Sequence, residues 1–479
     1  MAVIGCILLA ALAALIAVVV IRTLKFTPKP EAPAESMPVA VDREKIVSDM
    51  QDMIRCRTVS HADESLTDFA EFDRFHALLA ERFPLVHKAS ALEHVGKTGL
   101  LYTLRGRASD KPSVLMAHYD VVPVNEDGWT KPPFDAIIED GCIWGRGTLD
   151  TKGTLLGVFE ALESLLAEGY VPEQDLYLSF SGDEEISGGS CPAIVSLLEA
   201  RGVKPEIVLD EGGAVVSGAF PGVRREYAVI GIAEKGGLNL RFSMASQGGH
   251  ASTPPPHPIL TQLSAALVRI GKRPFRSRIT PPVGQMLDTL GRHSTFLYRM
   301  IFANLWLFSP VLDLYCRLSG GELNALLRTT VAPTHFEGSP AYNVLPPNAN
   351  FGLNLRLLPG DTIESAAAYM KKTAANDRIS VEVVDGMNPS IVSSTDCEGY
   401  SKLVAAIRRT WPEAIASPYL MMACSDSRHY CRITDKVYRF SAMRLSKEER
   451  GLIHGNDERV PIDTLVTTVQ FYVRLLRTL

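Results

Sequence analysis

The chain has 479 residues, 46% hydrophobic and 22% charged, which is enough for a sizeable core and more than one domain. A formal net charge of −5 carries no basic signature, so nucleic acid is excluded as the expected partner. Eight cysteines are scattered without a C-x-x-C pair, which argues against a thiolate metal site and a dense disulfide framework.

Residues 2–21 carry no charge, about the length needed to cross ~30 Å of hydrocarbon. No Lys or Arg precedes the run, and Val18-Val19-Val20-Ile21-Arg22 closes it where a signal peptide would place small residues. A retained membrane anchor over residues 1–25 is therefore expected. Arg22, Lys25 and Lys29 follow the span and favour a cytoplasmic C-terminal side, but the side of the membrane stays open. Residues 26–41, rich in Pro, Ala and Glu, read as a tether.

The body starts near Asp42. Apolar spacing predicts helices over 42–56 and 66–82 and a strand over 99–104. A second apolar run, 113–117, leads into His118-Tyr119-Asp120. At strand spacing His118 and Asp120 share a face, and a carboxylate beside an imidazole fixes its tautomer for metal binding. An isolated His–Asp pair is more often structural. Trp144-Gly145-Arg146-Gly147-Thr148-Leu149-Asp150 then precedes an amphipathic helix, so Asp150 reads as an N-cap or as a ligand. The loop lacks the third glycine and the G-K-[ST] ending of phosphate-binding motifs.

The apolar strand 176–180 runs into Asp183-Glu184-Glu185, three carboxylates where open α/β sheets place their ligand sites. Alone, the triplet reads as a solvated acidic turn. After a helix near 193–200, the strand 207–209 is expected to end in Asp210-Glu211-Gly212-Gly213. His, Asp and Glu thus gather at one sheet edge, a hard-oxygen and imidazole donor set suited to zinc or manganese in a hydrolytic site. H-E-x-x-H and G-x-S-x-G are both absent.

These segments, with Met116-Ala117-His118-Tyr119-Asp120-Val121-Val122-Pro123 in the lead, resemble the family of aminoacylase, carboxypeptidase S and glutamate carboxypeptidase. Carboxypeptidase S and the secreted N-fatty-acyl-amino-acid hydrolases are the nearest members. The resemblance covers essentially everything after residue 42. It implies an α/β fold, a catalytic domain with a central mixed sheet plus an inserted smaller α/β two-layer lid used for dimerisation. The expected division is 42–234 catalytic, 235–384 lid and 385–479 catalytic again.

The resemblance further implies two zinc ions, with manganese or cobalt as substitutes, bridged by Asp150. His118 and Glu211 complete one site, with Asp210 as the competing candidate, and Glu185 and His454 complete the other. Glu184 is the implied general base, and Asp120 orients His118. His250, in Gln247-Gly248-Gly249-His250, is the implied lid histidine, often supplied across a homodimer. Asn343 would support the oxyanion, and Arg356 and Arg428 the substrate's free carboxylate.

Residues 296–318 are unusually apolar, with Pro310 breaking the run, and read as lid core or dimer interface. The sharper reading is a wall for a fatty-acyl chain or a surface resting on a bilayer. The expected function is hydrolysis of an amide beside a free carboxylate, in an N-acyl amino acid or a small peptide. A dipeptidase or aminopeptidase on the same scaffold is the alternative, and a catalytically silent binding protein is the reading from another class.

Overall fold

The computed structural model describes residues 2–30 and 38–479. Residues 31–37 of the expected tether lie outside the described residues.

An eight-stranded mixed sheet forms the main body, in the order Ala91–Val95, Gly99–Leu104, Gln174–Ser181, Ala108–His118, Ile207–Val216, Val437–Arg444, Tyr227–Glu234, Ile415–Met421. Its four central strands are mutually parallel, so their C-terminal ends meet along one edge. The inner part of Ala108–His118 is buried throughout, as expected of a strand covered by helices on both faces. Helices Lys152–Ala167 and Ile462–Leu476 pack together on the sheet through Leu155, Leu162, Leu465 and Phe471. Gly157 permits their close approach, because a Cβ there would lie 2.6 Å from Thr468.

The expected helices form as Arg43–Arg55 and Phe69–Arg82, capped by the side chains of Asp42 and Asp68. One expectation changes. The strand beginning at Ile207 does not end at Asp210 but runs on to Val216. Asp210 pairs with Arg439 and Gly213 with Phe440, so Glu211 and Gly212 are extruded as a bulge. Two glycines make this possible. Gly212 has φ of +133°, and a Cβ on Gly213 would stand 1.8 Å from the Val229 carbonyl.

A second, four-stranded antiparallel sheet has the order Thr330–Glu337, Asn348–Leu357, Gly236–Ala245, Ser380–Met387. Helices Ile259–Lys272 and Ile363–Ala374 cover it and share a separate core around Phe242, Leu263, Phe351 and Met370. Its last strand runs to Met387, and Ser390 and Ser393 then bond back to Glu234 and Ile232 of the main sheet. Residues 281–327, within the expected 235–384 lid, pack elsewhere. Val283, Leu287, Phe302 and Leu326 belong to the main core. The apolar stretch forms two helices, Phe296–Ala303 and Leu305–Ser319, with Pro310 inside the second.

The N-terminal helix Ala2–Lys25 is apolar and exposed over most of its length, while Val19 and Thr23 are buried against the body. The chain beyond it is not free at its start. The Arg292 guanidinium lies 4.4 Å from the Phe26 ring centroid and Arg292 Nη1 donates to Thr27 O (3.1 Å).

Candidate active site

His118 is the last residue of its strand and pairs with Ser181, the last residue of the neighbouring parallel strand. The loop after each strand therefore turns over the same edge. Asp120 ties the two loops together. Its Oδ1 accepts from Glu184 N and its Oδ2 from Glu185 N, both at 3.1 Å, while Ser60 Oγ adds a bond of 2.7 Å. His118 Nδ1 lies 3.0 Å from Asp120 O and 3.3 Å from Asp120 Oδ1, which directs Nε2 into the site. Asp183 shapes the turn: its Oδ2 accepts from Ser190 N and Oγ at the start of helix Ser190–Ala200.

Asp150 is not an N-cap; Thr151 occupies that position and makes no side-chain cap bond. The two oxygens of Asp150 instead face two histidines, Oδ1 at 2.9 Å from His118 Nε2 and Oδ2 at 3.0 Å from His454 Nε2. Glu211 Oε1 lies 3.4 Å from His118 Nε2, and Glu185 Oε2 lies 3.1 Å from His454 Nε2. Donors arranged tetrahedrally at ~2.0–2.1 Å from zinc stand roughly 3.3 Å apart, so these spacings of 2.9–3.4 Å fit ligands around cations. His118, Glu184 and Glu211 also bring ligand atoms within 4.8 Å of one another. Glu184 is thus at ligand distance too, but its carboxylate makes no hydrogen bond or ion pair among the described residues.

Electrostatics point the same way. Burial, reinforced by neighbouring carboxylates, pushes Glu184 and Glu211 well above the usual carboxylate range. Hydrogen bonds to the Asp150 and Glu185 carboxylates push His454 up to about 10. Burial opposes protonation of His118, but the Glu211 charge and the imidazole's bonds to Asp120 and Asp150 outweigh it. So much buried negative charge calls for positive charge in its midst, which divalent cations supply.

Asp210 and Glu211, open alternatives in sequence, point apart. Asp210 Oδ2 accepts from Ser427 N (3.0 Å), away from the histidines, and the bulge turns Glu211 toward His118. His454 reaches the site from 269 residues beyond Glu185 because strand Arg459–Pro461 pairs with Cys142–Trp144. Glu458 completes that link. Its fully buried carboxylate accepts from Gly147 N (3.0 Å), Leu149 N (2.7 Å) and Arg146 Nη1 (2.7 Å), holding the loop that presents Asp150. Sequence reading assigned Glu458 no role, although Arg146 in the glycine loop was a partner for a carboxylate near His454. Asp426, also unassigned, bonds Ser181 Oγ (2.5 Å), and burial pushes it up to about 7.

His250 and Asn343 lie together on the smaller unit. His250 pairs with Val344, and Ala251 N donates to Asn343 O (3.0 Å). Ser252 N donates to His250 Nδ1 (3.1 Å), so in the neutral ring the proton sits on Nε2, free to donate. Both residues are exposed, and no contact joins them to the His118 cluster among the described residues. Arg356 is exposed, with Nη1 3.7 Å from Cys424 Sγ, and meets no carboxylate among the described residues. Arg428 differs: its Nη2 donates to buried Glu234 (2.6 Å), which also binds Arg439.

Comparison with known proteins places this geometry. Residues 114–478 match the model of peptidase family M20/M25/M40. The chain belongs to this family. Over 472 residues it is 32% identical to probable carboxypeptidase S-like 2 of Dictyostelium discoideum, covering 96% of this chain and 91% of that protein. It is 33% identical to the N-fatty-acyl-amino acid synthase/hydrolase PM20D1 of Homo sapiens, covering 88% and 84%. Its fold is similar to that of the M20 metallo-carboxypeptidase Sso-CP2 from Sulfolobus solfataricus, with a TM-score of 0.65 at 17% identity over 90% of this chain and 98% of that one. As an M20 enzyme it is a hydrolase of the metallopeptidase type, using divalent metal to cleave amide bonds.

Proposed function

We propose that this M20 enzyme is a membrane-anchored, dinuclear zinc hydrolase that cleaves an amide bond beside a free carboxylate, as in an N-acyl amino acid. The observation that carries the reading is Asp150 between His118 and His454, with the uncommitted Glu184 carboxylate beside them. His118, Asp150 and Glu211 would hold one cation, and Asp150, Glu185 and His454 the other. Zinc suits the imidazole and carboxylate donors; manganese or cobalt would serve as substitutes. When bound, the cations supply Lewis acidity that acidifies water and polarises the amide carbonyl.

The chain's own residues do the rest. Glu184 takes the proton from the attacking water and hands it to the leaving amine. His250 Nε2–H and the Asn343 amide donate to the oxyanion. These two come from the smaller unit, either by closure or from the partner in a homodimer. Arg356, lacking a carboxylate of its own, receives the substrate's free carboxylate through its planar fork. Arg428 is already paired with Glu234, so it positions the loop carrying Cys424. The names of two relatives, probable carboxypeptidase S-like 2 and N-fatty-acyl-amino acid synthase/hydrolase, are in keeping with this assignment.

The apolar helix ending at Lys25 would anchor the enzyme in a membrane. The test of the reaction is the full chain with zinc and a panel of N-acyl amino acids, their methyl amides and Gly-Xaa dipeptides. Hydrolysis of the free acids, with the methyl amides inert, is the expected result. Equal rates on acids and amides would overturn the carboxylate requirement, and a preference for dipeptides would favour a dipeptidase.

A further inference from the structure

Helices Phe296–Ala303 and Leu305–Ser319 invert the usual order of a surface helix. Their inner faces carry Phe302, Leu305, Leu312 and Cys316 into the main core. Their outer faces are also apolar. Val311, Leu314, Tyr315 and Leu318 are each more than half exposed and recur at helical spacing, with Leu297 and Trp306 beside them. A contiguous exposed apolar face of this kind marks an interaction surface.

Its position tells what covers it. Asn304, at the junction of the two helices, donates to Val19 O and Thr23 Oγ1, both at 3.2 Å. Arg22 donates to Ala303 O (3.1 Å). The junction therefore stands level with the last two turns of the N-terminal helix. Residues 2–18 rise roughly 25 Å at helical pitch, most of a hydrocarbon core of ~30 Å. The bilayer boundary then falls where the two helices sit. Basic residues lie beside the same helices: Lys25 ends the N-terminal helix, Lys29 is exposed and 3.7 Å from Asp288, and Arg224 and Arg225 line a pocket with His293, Ser294 and Phe296. Positive charge beside an apolar helix face matches acidic headgroups over acyl chains.

We propose that the outer face of residues 296–318 lies in the lipid headgroup–acyl boundary, docking the body of the enzyme onto the membrane that its N-terminal helix crosses. This rests on the anchor assignment. It makes the helix a rigid mount, its C-terminal end built into the fold, and holds the body against the surface where amphipathic N-acyl substrates partition.

Bromolipid quenching tests it. The full chain is reconstituted in phosphatidylcholine–phosphatidylserine vesicles with brominated acyl chains and floated on a density gradient. Trp306 emission is isolated by subtracting the Trp306→Phe variant, a substitution at a half-exposed site. Loss of most of the Trp306 emission is the expected result. A chain that floats with Trp306 emission unchanged keeps the anchor and overturns the docked face, which would then be a contact between copies. A chain that does not float overturns both.

Discussion

Asp120 touches more of the site than any ligand does. One carboxylate orients His118 and receives the backbone N–H groups of Glu184 and Glu185, so it sets the positions of two proposed ligands and the proposed base together. Asp120→Asn would present an amide N–H where these donors need an acceptor. Metal affinity should fall by about 10–100-fold, the usual effect of losing such a support, measured by titration against a metal buffer. Unchanged affinity would show that Asp120 acts only on the turn. Lys235 gives a second residue-scale prediction. Its fully buried ammonium donates to Ala325 O and Arg328 O, and burial, with Arg356 nearby, lowers its pKa to about 7. Between pH 7 and 10.5 the unfolded chain holds a proton that the folded chain has released, so stability rises with pH across that window, by up to ~1.4 kcal/mol per unit. Denaturant midpoints should rise more steeply with pH in the parent than in Lys235→Met, which keeps the smaller rise from buried Lys152, whose pKa burial lowers to about 8. Parallel pH profiles would contradict it. At this scale the sequence was informative wherever chemistry follows a strand: His118, Asp120 and the Asp183-Glu184-Glu185 triplet could be placed from apolar runs. Glu458 could not, because its task is to join loops 308–312 residues apart.

At the scale of elements, the bulge at Glu211-Gly212 decides which of two adjacent carboxylates faces His118. No period in the sequence announces a bulge; only the paired glycines hinted at it, and their meaning depends on Val229 and Arg439 arriving from other strands. The helices, by contrast, were legible from spacing and caps. The apolar stretch was legible as unusual but not as part of the main core, since its burial depends on contacts with the N-terminal helix and Phe220. The two-stranded ribbon of Gly249–His250 and Val344–Leu345, with Asn343 at its edge, yields its own test. If it serves the site of the partner copy, co-expressing Glu184→Ala with His250→Ala should restore activity that neither variant has alone. No recovery would mean that the ribbon closes over its own chain.

At the scale of the whole molecule, two compact units stand on a shared root. The main unit supplies every residue near Asp150, His454 among them by way of the strand pair Cys142–Trp144 and Arg459–Pro461, and the smaller unit carries His250, Asn343 and Arg356. The strands crossing between them pass at Lys235-Gly236 and Met387, where a Cβ on Gly236 would lie 2.4 Å from Met387 O. Arg356, paired with Gly237, sits at that root, so the carboxylate contact proposed for it would be tied to the relation of the two units. The proposed reaction depends on Glu184 moving the proton while its neighbours hold the metal. It is tested most directly by comparing the parent with Glu184→Gln at equal metal content, verified by mass spectrometry, on an N-acyl amino acid. The expected result is a fall in kcat of about 10²–10⁴-fold with both metals retained. A variant that keeps its metal and turns over within a few-fold of the parent would contradict it.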